Sequence, residues 1–80
     1  MSDSRGYSTA LVQKVAAANP SLPTIRLARV CIDRGVSVWE VSRMLGVSRP
    51  IIYRWFSGKT TPRTKHLEQI LILVYQLESA

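Results

Sequence analysis

The run Gly35-Val36-Ser37-Val38-Trp39-Glu40-Val41-Ser42-Arg43-Met44-Leu45-Gly46-Val47-Ser48-Arg49-Pro50-Ile51-Ile52-Tyr53-Arg54-Trp55 carries the same helix-start signal twice. Ser37 is an N-cap, and Glu40 three residues on completes a capping box. Val36 and Val41 stand at the spacing of a hydrophobic staple. Val41 and Leu45 then share one helical face, and Gly46 supplies the stop. Ser48 caps the following helix, with Val47 and Ile52 as its staple pair. Pro50 has no N–H to offer, so the Ser48 hydroxyl is expected to accept from Ile51. Ile52 with Trp55 or Phe56 forms the buried side, leaving Arg49, Pro50, Ile51, Tyr53 and Arg54 facing outward. The reading is two short helices joined by a tight glycine turn.

Helices are predicted on both sides of this pair. Ser8 or Thr9 caps one that runs to about Ala18, with Leu11, Val12, Val15 and Ala18 on its apolar side. Pro20 to Pro23 must be extended, since each proline disfavours helix in the residue before it. A second helix starts near Pro23 or Thr24 and ends at Gly35, with Ile25, Ala28, Cys31 and Ile32 inward. Past the pair, Ser57-Gly58 closes the second short helix. Thr61 is the expected cap of a last one, with Pro62 at its first position. Leu67, Ile70, Leu71, Val74 and Leu77 line its core side. No segment alternates in the manner of a strand. The expectation is an all-α, compact bundle of about five helices, one domain over residues 7–80 with the motif at 37–57 and a flexible stretch at 1–6.

Composition and charge narrow the function. Eighty residues, 46% of them hydrophobic, suffice for one small core and leave little surface for a deep cleft. Cys31 is the single cysteine, so no internal disulfide forms; this fits a reducing cytoplasm, in a prokaryotic cell or a phage-infected host. No apolar run of the kind a signal peptide or a bilayer span needs is present. His66 is the only histidine, and no second ligand or carboxylate is spaced to make it a metal or catalytic partner. An enzyme is therefore not expected, nor a metal or cofactor. Between Val41 and Leu67 stand six basic side chains and no acidic one, while the rest carries five of each. The whole formal charge of +6 thus originates in the segment holding the helix pair. Such a one-sided segment attracts a polyanion, and its coincidence with the paired helices points to double-stranded DNA.

The spacing of these residues resembles the helix-turn-helix family of phage repressors, Cro proteins and their bacterial relatives. Arg34-Gly35-Val36-Ser37, Val41-Ser42, Leu45-Gly46-Val47-Ser48, Ile52 with Arg54-Trp55, Gly58-Lys59, Pro62, Leu67 and Ile70 carry the likeness, over roughly residues 24 to 77. The resemblance implies that the first helix of the pair crosses the DNA backbone and the second lies in the major groove. Arg49, Pro50, Ile51, Tyr53 and Arg54 become the candidate base contacts, with arginine able to grip guanine through two parallel hydrogen bonds. Arg43, Ser48, Lys59, Thr60, Arg63 and Lys65 become the candidate phosphate contacts. The chain departs from the family where glutamine is common and Val38 stands. It also has Phe56 where an acid often follows the tryptophan, and Pro50-Ile51 in place of a small polar pair.

Two features lie outside that pattern. Trp39 falls on the outer side of its helix, and is expected to pack on the extra N-terminal helix or else to mark a protein contact surface with Phe56. The last helix has more apolar residues than one stripe needs. Ile72, Leu73 and Tyr75 are left to form a homodimer interface, as palindromic operators require, or to meet the N-terminal helix. The expected activity is a sequence-specific transcriptional regulator, a repressor or Cro-type protein of phage or prokaryotic origin. Rival readings are a protein-binding adaptor or inhibitor of a host factor, and an accessory protein of DNA packaging or recombination.

Overall fold

Five α-helices follow one another in the computed structural model, which describes residues 6–80: α1 (Thr9–Ala17), α2 (Pro23–Arg34), α3 (Val38–Leu45), α4 (Arg49–Phe56) and α5 (Thr64–Ser79). No strand occurs among the described residues. The mobile N-terminus expected over residues 1–6 lies outside them, save for Gly6.

Helix α2 is the axis of the bundle. It packs most extensively on α5 and also meets α1 and α4. A helix enclosed by three others needs more than one apolar stripe. Leu27 and Val30 are accordingly buried beside the expected Ile25, Ala28 and Cys31, while Ile32 is only partly covered. Around this axis Leu11 and Val15 of α1, Val38, Val41 and Leu45 of α3, and Ile52, Trp55 and Phe56 of α4 close a single core. No helix among the described residues is long and apolar enough to cross a membrane.

The local grammar of the pair is built as the capping residues dictate. The Ser37 hydroxyl accepts from the Glu40 N–H at 3.0 Å, and the Ser37 N–H donates back to Glu40 Oε1 at 3.3 Å. Gly46 ends α3 at φ 68°, in the left-handed region, with its N–H donating to the Ser42 carbonyl.

Three expectations need correction. Ser48 occupies the cap of α4, but its hydroxyl takes no backbone N–H. The Ile51 N–H donates instead to the Ser48 carbonyl at 3.1 Å, which leaves the exposed hydroxyl without a capping role. The last helix begins at Thr64 behind Arg63 rather than at Pro62 behind Thr61. Pro62 is buried in the extended connection, so the residue before it is held out of helix for packing reasons as well as steric ones.

The third correction concerns the rotation of α5. Its buried residues are Ile70, Leu73 and Val74, with Leu77 partly covered. Leu71 is 47% exposed, Ile72 60% and Tyr75 73%. Leu73 therefore belongs to the core and not to a free interface, and Leu71 takes its place on the outside. Two apolar stripes were open to this helix by spacing alone. Contacts at its far end accompany the one adopted: Arg26 pairs with Glu78 at 2.7 Å, and Arg34 donates to the Ala80 carbonyl at 2.8 Å.

Candidate nucleic-acid interface

Helix α4 divides sharply by burial. Ile52, Trp55 and Phe56 are 4% exposed or less, which fixes the helix on the core. Arg49, Pro50, Tyr53 and Arg54 are exposed on the opposite side. Ile51 departs from the outward position expected for it: it is half-buried and packs against the core, so it offers a base edge less surface than its neighbours do.

The backbone beyond α4 is held in place rather than loose. Lys59 donates its N–H to the Arg54 carbonyl at 2.9 Å, and Thr60 donates to the same carbonyl at 3.4 Å. Gly58 makes the turn possible at φ 80°. Lys59, Thr60, Arg63 and Lys65 are all exposed. Arg63 stands at the cap of α5 with no side-chain cap bond there, so the first-turn N–H groups of that helix add to the local positive field.

Charge on this side is uncompensated. The one ion pair among the described residues joins Arg26 to Glu78, at the α2–α5 side. Arg49, Arg54, Lys59, Arg63 and Lys65 thus keep their charge for a partner. Arg43 is engaged differently, its guanidinium lying 4.8 Å from the centre of the Trp39 ring.

Trp39 is left half-exposed, at 50%, and borders a shallow concavity with Glu40, Arg43 and Met44. Phe56, its expected companion on a contact surface, is 1% exposed and stacks with Tyr7 at 6.3 Å between ring centres. Phe56 therefore belongs to the core and not to an exposed contact surface. His66 leans its ring on Trp55 at 5.5 Å.

Residues before α1 account for two departures from the family pattern. Tyr7 is buried, and its hydroxyl donates to the Val36 carbonyl at 2.8 Å. That ring fills the space beside Phe56 that an ionised side chain could not occupy without a buried partner. Gly6 lies over Val38, so close that an added Cβ would come within 3.3 Å of the valine and 2.8 Å of the Tyr53 hydroxyl. Val38 is 1% exposed, on the core side of α3 with Val41 and Leu45, and a polar residue there would be taken out of water.

One basic residue was not singled out by pattern. Lys14 of α1 lines an open cavity of about 450 Å³ together with Gly6, Tyr53, Arg54 and Lys59. No spacing signal leads to it, because α1 lies outside the helix pair and comes to line one cavity with α4 only in the folded chain.

The helix-turn-helix family model matches residues 25–73, from the first turn of α2 into the second half of α5. No curated protein and no solved structure matches the chain. The matched span covers more than half of the sequence and contains the capped pair α3–α4, its glycine turn and the basic loop after it. On that span the chain belongs to the helix-turn-helix family of phage repressors and Cro proteins, and it is a DNA-binding helix-turn-helix regulator.

Proposed function

We propose that the protein is a sequence-specific transcriptional regulator, of the repressor or Cro type, that reads the major groove with α4. The observation that carries this reading is the exposed side of α4. Arg49 and Arg54 stand there without ion-pair partners among the described residues, on a helix locked by Ile52, Trp55 and Phe56. A rigid helix with free guanidinium groups is what bidentate recognition of guanine needs. Tyr53 offers an aromatic face to a thymine methyl, and Pro50 keeps the first turn close to the groove. Ser48, freed from capping, joins Lys59, Thr60, Arg63 and Lys65 on the phosphates, with Arg43 a further contact beside Trp39.

The operator is read by a homodimer. Leu71, Ile72 and Tyr75 recur at helical spacing on the outer side of α5, and a second copy of the chain covers them. With no ligand-sensing element in these helices, regulation follows from occupancy of a site overlapping a promoter, in a prokaryotic cytoplasm.

Selection of bound duplexes from a random pool tests the reading. The expected result is a two-fold symmetric sequence with half-sites about one helical turn apart. A pool that shows no enrichment would leave a DNA-binding protein without sequence preference, as an accessory factor in DNA packaging would be.

A second reading rests on the Trp39 face. Met44, 50% exposed, borders both the Trp39 concavity and a groove it shares with Gln69, Ile72 and Gln76. Exposed apolar side chains of this kind, rimmed by polar ones, also suit an adaptor that docks on another protein.

A further inference from the structure

The cavity between α1 and α4 brings residues of α1 beside two cations of the α4 side. It is lined by Gly6, Ala10 and Leu11 on one side and by Tyr53 and Ser57 on the other. Lys14, Arg54 and Lys59 stand around it, and no acidic residue does. The remaining basic residues of the first two helices are occupied elsewhere. Arg26 pairs with Glu78, Arg29 donates to the Ala16 carbonyl at the end of α1, and Arg34 donates to the end of α5. Lys14 is exposed and has no ion-pair partner among the described residues.

We infer that α1, which lies outside the family match, is part of the DNA-binding surface, and that Lys14 with Lys59 seats a backbone phosphate in this cavity, beside the base-reading Arg54. This rests on the reading of α4 as the groove-facing helix. Two of the three cations already belong to that interface, so the cavity continues it rather than forming a separate site. Three like charges around one concavity repel each other until an anion enters, and a phosphodiester supplies that charge. The apolar floor of Leu11 and Ala10 suits the deoxyribose attached to it. The extra helix thereby widens the footprint beyond the helix pair, on the side of the basic loop.

Salt titrations on a duplex bearing the selected site test this with Lys14→Ala, Lys14→Arg and the unaltered chain. Lys14→Ala is expected to weaken all duplex sequences alike and to make the log–log salt slope shallower by about 1 per protomer. Lys14→Arg should keep the slope. Because Lys14 is exposed, thermal unfolding and helical circular dichroism should be unchanged in both variants. Equal slopes for Lys14→Ala and the unaltered chain, on a steep salt dependence, would overturn this inference and leave α4 reading intact. An unaltered chain whose binding does not respond to salt would overturn both. Loss of preference at a single base pair in Lys14→Ala would also overturn it, since a phosphate seat carries no base information.

Discussion

Tyr7 joins three parts of the molecule through one side chain: its hydroxyl meets the turn before α3, its ring stacks on α4, and a hydrogen bond reaches Cys31 on α2. Tyr7→Ala should cost about 3–5 kcal/mol in denaturant unfolding, as large aromatic truncations in cores do. Tyr7→Phe should cost about 1 kcal/mol for the lost hydrogen bond. An unchanged midpoint in Tyr7→Ala would show that the N-terminal segment is not docked. Nothing in the sequence announced this role, because a single aromatic in a polar stretch has no periodicity to reveal its direction. Cys31 was read correctly as a core thiol, and burial pushes it up from 9.0 to about 12, with the Tyr7 hydrogen bond opposing and Glu40 adding a little. A raised thiol keeps its proton in the folded state after the unfolded chain has lost its own. The contribution of Cys31 to stability is thus constant below about pH 9 and is lost as pH rises from there towards 12. The stability gap between the unaltered chain and Cys31→Ala should narrow across that window; a gap that stays constant would contradict the assignment. On the exposed side of α4, Arg49→Ala should cost about 1–3 kcal/mol on the preferred site and flatten one base position, whereas Lys59→Ala weakens every sequence equally. Binding to a panel of singly substituted duplexes separates the two. A uniform loss in Arg49→Ala would move base reading to Tyr53 and Arg54.

At the scale of elements, α3 and α4 were legible because their signals are local: cap, box, staple and glycine stop act within a few residues of one another. The starts of α4 and α5 show where locality fails. Ser48 could satisfy Ile51 through either oxygen, and backbone geometry chose the carbonyl. Pro62 could open a helix or pack in a connection, and burial selected the second. Rotation of α5 was ambiguous for a related reason, since apolar residues surround it and only its docking on α2 separates Leu73 from Leu71. That correction changes the test of assembly. Leu73→Glu should abolish the helical circular dichroism signal, because it places a charge in the core. Ile72→Glu should leave that signal intact, shift sedimentation from dimer to monomer and lower operator affinity sharply. A folded Ile72→Glu that still sediments as a dimer would remove α5 from the interface.

For the whole molecule, the helix count, the single core and the location of the excess charge follow from pattern and composition. The placement of the N-terminal segment does not, since it depends on Tyr7 finding Phe56 far along the sequence. The chain measures 34 × 27 × 23 Å, and its longest extent is about one turn of B-DNA. Five cations without an ion pair among the described residues, Arg49, Arg54, Lys59, Arg63 and Lys65, are all exposed between the start of α4 and the first turn of α5. The dependence of duplex affinity on salt measures that arrangement most directly. With about six to eight phosphates neutralised per dimer, the log–log slope should lie near −5 to −7. A slope close to zero would contradict recognition of DNA by this face.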